Sequence, residues 1–282
     1  MRNNLESHRN NFFRILLLGT VAVALWPSTT VGTERFFTYS YEPETMPKGA
    51  WEIEQWFTLR AGRNAHVGQE NYNLWEFRTE FEYGVTDNYT VSLYVNESYE
   101  NFRDPATHRN THDLNWDGIS VENRYMVLNP ATKPVGLALY LEPRYDGENA
   151  ELEQKIILGQ RYGDWKWAVN FIHATEWTHN FDEKEGEVEV SAGLMRFFGK
   201  HWGVGLEARD HNELPEYKIW ENSALYIGPV VNYRRENWWT TLTVMPQIWG
   251  DTFHHENPDN NRWLELEGHE RWNVRLIMGF SF

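Results

Sequence analysis

Charged residues recur at alternate positions in several segments of this chain, the spacing that gathers charges on one face of an extended strand. Glu76, Arg78, Glu80 and Glu82 alternate with Trp75, Phe77, Phe81 and Tyr83. Such a row can pair across neighbouring strands as a structural ladder, or line a watery path and discriminate between ions. Reading inward parity through the chain gives a nearly balanced set. Its members are Glu54, Glu76, Arg78, Glu80, Glu122, Arg124, Glu142, Arg144, Lys155 and Arg275, with further glutamates, arginines and lysines on the same parity. A channel selecting ions by charge biases its constriction to one sign, so balance favours paired ladders. The second chemistry available is metal ligation. Histidines gather between the alternating segments at His66, His108, His112, His179, His211, His254, His255 and His269. His254 and His255, followed by Glu256 and Asp259, offer ligand types for Zn2+ or Cu2+. No His-Glu-x-x-His pattern or cysteine pair fixes a geometry, and solvated loop residues are the competing reading. No cofactor is expected.

These residues need strands to position them. Period-two alternation appears at Trp51–Arg60, Trp75–Tyr83, Tyr89–Val95, Ile119–Val127 and Val135–Leu141, more weakly over 151–161 and 165–177, and again in five later runs. The last is the clearest: Trp272, Val274, Leu276, Met278, Phe280 and Phe282 share one face. About twelve strands of roughly ten residues follow, the length that crosses a bilayer at a tilt. Short links at 84–88, 129–134, 162–164, 199–201 and 234–237 alternate with longer ones at 61–73, 98–117, 146–150, 178–186, 210–222 and 250–270. The expected fold is therefore all-β, a transmembrane antiparallel up-and-down barrel over residues 49–282. A soluble β-sandwich also alternates, but it has little need of a second face made only of charges.

The amino-terminal 32 residues read as a cleaved secretory signal: Arg2, Arg9 and Arg14 precede an apolar run from Ile15 to Leu25, too short for a spanning helix, which needs about 20 residues. An uncleaved anchor is the alternative. Residues 33–48 are expected to be a periplasmic lead-in to the first strand. The whole chain carries 26 basic and 41 acidic residues, a formal charge of −15, and losing three arginines and one glutamate with the signal makes it −17. That excess of acid argues against nucleic acid as a partner. Fifteen Trp, fourteen Tyr and fifteen Phe suit membrane interfaces, where amphipathic rings anchor a barrel. The expected partners are outer-membrane lipid and lipopolysaccharide, a small solute of unknown identity, and the insertion machinery that reads a terminal strand ending in Phe282. The expected location is the bacterial outer membrane.

Several segments carry a resemblance to a family. Pro47-Lys48-Gly49, Trp51-Glu52, Glu54-Gln55-Trp56, Arg78-Thr79-Glu80, Glu82-Tyr83-Gly84 and Thr86-Asp87-Asn88 are similar to an uncharacterised bacterial outer-membrane β-barrel family. The likeness continues through Gly136-Leu137-Ala138, Glu142-Pro143, Leu206-Glu207, His211-Asn212-Glu213, Gly228-Pro229, Trp238-Trp239 and His269-Glu270-Arg271-Trp272. It implies fold and location and supplies no catalytic residues.

Two functions fit. One is a passive pore or small-solute channel, in which Trp56, Tyr94, Tyr140 and Tyr226 stack a sugar or a base and the inward Gly136, Ala138, Gly203, Gly205 and Gly228 leave space. The other is a closed structural barrel acting through acidic, histidine-bearing outer loops. An outer-membrane lipid hydrolase is the enzymatic alternative, but none of Ser92, Ser98, Ser120, Ser191, Ser223 and Ser281 lies in a His-x-Ser or Gly-x-Ser-x-Gly setting. If strands twelve and one close the barrel, Arg275 is expected to meet Glu54.

Overall fold

A computed structural model describes residues 35–63, 70–104, 106–179, 181–253 and 263–282. Its twelve strands are β1 (Trp51–Ala61), β2 (Asn73–Thr86), β3 (Tyr89–Arg103), β4 (Asn110–Leu128), β5 (Gly136–Tyr145), β6 (Ala150–Tyr162), β7 (Trp165–Thr178), β8 (Glu183–Phe198), β9 (Trp202–Pro215), β10 (Asn222–Arg234), β11 (Trp238–Thr252) and β12 (Trp272–Ser281). Each pairs antiparallel with its sequence neighbours, and β12 returns to pair with β1, closing the barrel. Closure removes every sheet edge, so the strands' backbone polar groups pair within the wall except at a few register shifts, as a lipid environment demands.

Parity sets the two faces. Leu93, Leu139, Val204, Leu206 and Leu242 stand exposed on the outside, which is the surface that acyl chains cover. Rings crowd both ends of this apolar band. Trp51, Tyr125, Tyr162, Trp165, Phe198, Trp202 and Trp238 lie near the short turns, and Trp75, Trp116, Tyr145, Trp249 and Trp272 lie near the other end, all exposed. Two aromatic girdles are what two membrane interfaces require.

The wall stands taller at the long-loop end than alternation alone indicated. Most of 98–117 and 210–222, read as loops, is strand: β3 runs to Arg103, β4 starts at Asn110, and β9 reaches Pro215. Apolar alternation stops there because the strands leave the lipid, whereas backbone pairing continues. The β3–β4 register shifts at Asn96/Glu97 opposite Gly118. Gly118 has φ +89°, and a Cβ there would meet the Tyr145 carbonyl oxygen at 2.2 Å, so this bulge requires glycine.

The expected periplasmic lead-in is placed differently: residues 35–46 run across the inside of the barrel near its short-turn end. Of the small inward residues expected to leave space, Gly136 and Gly203 are occupied, as are three further inward glycines, Gly84, Gly159 and Gly193. Pro43 fills the notches of Gly136 and Gly159, the Phe37 ring covers Gly193, and the Pro47 carbonyl abuts Gly84. Gly203 is covered by Met195 of the adjoining strand. The reason is burial. Phe36, Phe37, Tyr39, Tyr41 and Met46 are all removed from solvent inside the barrel. Phe37→Ala should cost about 3–5 kcal/mol, since the ring is wholly buried and Gly193 has no side chain to fill the hole. A downward shift of the urea midpoint of the refolded barrel checks it.

Candidate functional site

The inserted segment is held by polar groups projecting from the wall. Glu207 on β9 accepts from the backbone N–H groups of Thr38 (3.1 Å), Tyr39 (2.7 Å) and Ser40 (2.7 Å), and from the Thr38 hydroxyl (3.2 Å). Thr243 on β11 donates to the same carboxylate at 2.8 Å. Asn170 on β7 grips Tyr41 twice, accepting from its N–H and donating to its carbonyl at 2.9 Å. The Arg35 carbonyl accepts from Asn232 (3.1 Å) and Thr241 (2.7 Å), and Thr90 accepts from the Met46 N–H at 2.8 Å. A chain crossing a lumen without a strand partner has its backbone groups bare, so the wall must supply side-chain partners.

Above this crossing lies a cavity of about 270 Å³ with Tyr39 and Tyr41 in its floor and a charged wall. Arg60 pairs with Glu76 at 3.1 Å, Arg78 with Glu142 at 2.5 Å, Arg144 with Glu151 at 2.7 Å, Lys155 with Glu153 at 2.8 Å and Arg209 with Glu189 at 2.6 Å. Arg78 also donates to Asn96 at 2.9 Å. Arg60–Glu76, Arg144–Glu151 and Arg209–Glu189 join adjacent strands, as the ladders that balanced charge implied would, whereas Lys155–Glu153 lies within β6 and Arg78–Glu142 reaches from β2 to β5; together they curve round a vestibule open towards the long loops. Of the ten inward charges read from parity, Glu76, Arg78, Glu142, Arg144, Lys155 and Arg275 line this cavity.

The other four, Glu54, Glu80, Glu122 and Arg124, are buried beside the inserted segment, in a group of carboxylates with Glu52 and Glu82. Arg124 bridges Glu82 and Glu122, and the Arg35 guanidinium comes in from the segment itself, lying 3.7 Å over the Tyr41 ring and 4.5 Å over Trp56. Arg124→Ala strands two buried carboxylates and should destabilise the barrel by about 3–5 kcal/mol. Equilibrium unfolding in urea measures it. Arg275 does not meet Glu54: the β1–β12 register sets Arg275 opposite Thr58 and Glu54 opposite Gly279. Arg275 donates to Thr58 Oγ1 at 2.8 Å and to the Thr38 carbonyl at 3.2 Å, so it holds the segment from above.

The inward aromatics are fillers at this level. Trp56 donates to Glu54 at 2.8 Å, Tyr94 to Glu122 at 2.6 Å, Tyr140 to Glu142, and Tyr226 to the Glu270 carbonyl at 2.8 Å, and of the four Trp56 alone borders the vestibule. Their hydroxyls and indole N–H groups are committed to the wall. The anchors Glu207 and Asn170 and the floor tyrosines were not among the ten. A signal for them existed in four rings within Phe36–Tyr41, a density that an exposed lead-in has no use for. The metal candidates His254, His255, Glu256 and Asp259, and His66, lie outside the described residues. The structure does bring two other histidines together, His211 of β9 and His269 ahead of β12, their rings 5.1 Å apart and nearly perpendicular. Burial pushes His269 well below the ordinary imidazole range, leaving it neutral.

A closed twelve-stranded barrel with an apolar outer band, two aromatic girdles and a charged lumen is an outer-membrane β-barrel. The chain belongs to a family of unknown function, DUF6662, whose model matches residues 29–157 and 160–282. A comparison with curated protein sequences finds no match. Among solved structures, the COG4313 outer membrane channel from Pseudomonas putida F1 is similar over 87% of this chain and 100% of its own, at 11% identity and a TM-score of 0.56. The KdgM porin covers 82% of this chain and 99% of its own at 10% identity and a TM-score of 0.46. The β domain of the Bordetella autotransporter BrkA gives 83% and 100% at 10% identity and 0.48.

Proposed function

We propose that this barrel is a small-solute channel of the outer membrane, closed near its short-turn end by its own N-terminal segment. One observation carries the reading. At the level of the closure the wall contributes Gly136, Ala138, Gly159, Ala168 and Gly193 beside the larger Trp56, Tyr140, Trp239 and Met195, so the space the small residues leave is filled by a removable length of chain. Withdrawal of residues 35–46 would open a passage from the vestibule towards the opposite end along the small residues of β5, β6, β7 and β8, with Trp56, Tyr140 and Trp239 of the wall remaining beside it. The passive pore expected from the sequence thus becomes a gated one.

The reading orients the long loops outwards and the short turns towards the periplasm, with the signal removed before residue 33 and the terminal strand read by the insertion machinery. The outer-facing end would lie against lipopolysaccharide. Conductance in a planar bilayer under a KCl gradient tests the function. The refolded chain should show discrete steps separated by long closed periods, and replacing Arg78, Arg144 and Lys155 by Gln should move the reversal potential towards cation selectivity. Permanent silence from folded protein, with or without the N-terminal segment, would favour the closed structural barrel.

A further inference from the structure

At the long-loop end, where His211 borders the vestibule, lies a cluster that the channel reading does not use. His211 and Glu213 project from β9, and the segment leading into β12 lays His269 against them. One ligand atom from each of the three lies within 4.8 Å of the other two, and both imidazoles are buried.

The surrounding hydrogen bonds fix which ring nitrogen of His269 is bare and give His211 one tautomer suited to a metal. Asn222 donates its Nδ2 to Glu213 Oε2 at 2.6 Å, because a carboxylate can only accept. Its Oδ1 therefore faces His269 Nε2 at 2.8 Å, so that nitrogen carries the proton and Nδ1 has a free lone pair. On the other ring, His211 Nδ1 lies 3.1 Å from Glu189 Oε2. With that proton given to Glu189, Nε2 is bare in turn. Arg209 also reaches this Nδ1 at 3.0 Å, and the tautomer that accepts from it turns an Nε2–H towards Glu187 at 3.8 Å, beyond hydrogen-bond reach; an ion at Nε2 would select the tautomer that donates to Glu189. Histidines whose second N–H is held by a carboxylate or an amide oxygen are the arrangement that orients imidazole towards a metal.

We propose that His211, Glu213 and His269 bind a divalent first-row transition ion, with Zn2+ as the probe. Two imidazoles and one carboxylate form an open ligand set that leaves a fourth position for water. A cavity of about 330 Å³ bounded by Glu213, Glu221, Asn222, Glu265, Glu267 and Gly268 supplies an approach from the Glu213 side, and its carboxylates raise the local cation concentration. The ion would tie the segment 263–271 to β9 across the rim of the barrel.

The test uses the refolded full barrel in detergent, with folding confirmed by heat-modifiable mobility. Zn2+ is titrated against a chromophoric chelator, and Co2+ is added for its visible absorption. One ion per barrel is expected, with the intense bands of a four-coordinate site. H269Q and E213Q should each weaken binding by at least 100-fold, and E189Q by about 10–100-fold through the orientation of His211. H254Q/H255Q should leave both affinity and spectrum intact. The proposal is overturned by absence of stoichiometric binding, by affinity that survives H269Q and E213Q, or by loss of binding in H254Q/H255Q, which would put the ion on the loop pair instead.

Discussion

Deleting residues 35–46 is expected to turn a channel that is closed most of the time into one that stays open. The wall should survive the deletion, since every strand pairs only with its neighbours and the segment contributes no ladder hydrogen bonds. What is lost is the floor of the vestibule: Tyr39 and Tyr41, the Pro43 that fills the notches at Gly136 and Gly159, and the ring over Gly193. The wall behind Pro43 and Phe37 is glycine, with no side chain to take their place. Single-channel recording should show long openings of larger unit conductance, and liposomes carrying the variant should swell in small sugars that the intact protein excludes. Unchanged conductance in a folded deletion variant would mean that the closure lies elsewhere.

The second large effect is expected at Glu207. Its carboxylate receives three consecutive backbone N–H groups and one hydroxyl of the segment, the densest anchor in the lumen. Glu207→Gln keeps the size of the side chain but replaces one acceptor oxygen with an NH2 that points at N–H donors. Hydrogen bonds to a charged group are worth roughly 1.5–3 kcal/mol each. A net loss of about 3 kcal/mol would shift the closed-to-open ratio by roughly a hundredfold. Open probability measures this directly. Thr243→Val, which removes the wall's own bond to the same carboxylate and none of the segment's, should have a much smaller effect. Equal effects from the two variants would indicate a general loosening of β9 against β11 rather than release of the segment.

The barrel was legible in the sequence because period-two alternation between lipid and lumen is imposed on every strand, and the count of twelve follows from the turns. Which charges line the vestibule was half legible. Parity assigns Glu76 and Glu80 to the same inward face, yet one reaches water and the other is buried beside Arg124, a difference set by where residues 35–46 cross. That crossing has no periodicity to read. Its evidence is one of burial, four rings in six residues, and of small wall residues whose partners are far away in sequence: Gly136 and Pro43 are nearly a hundred positions apart. The pairing of Arg275 with Thr58 rather than Glu54 is likewise a matter of register, which closure between β1 and β12 fixes and no local pattern records.

The central claim, that the N-terminal segment leaves the lumen when the channel conducts, is tested most directly at Ser40. Its side chain is wholly buried, and the protein contains no cysteine, so S40C introduces a single reporter thiol of nearly the same size. A membrane-impermeant thiol reagent is added during bilayer recording. Modification at a rate that rises with open probability, leaving the channel locked open, is the predicted result. Conductance steps from a barrel whose thiol at position 40 stays unmodified throughout would contradict it.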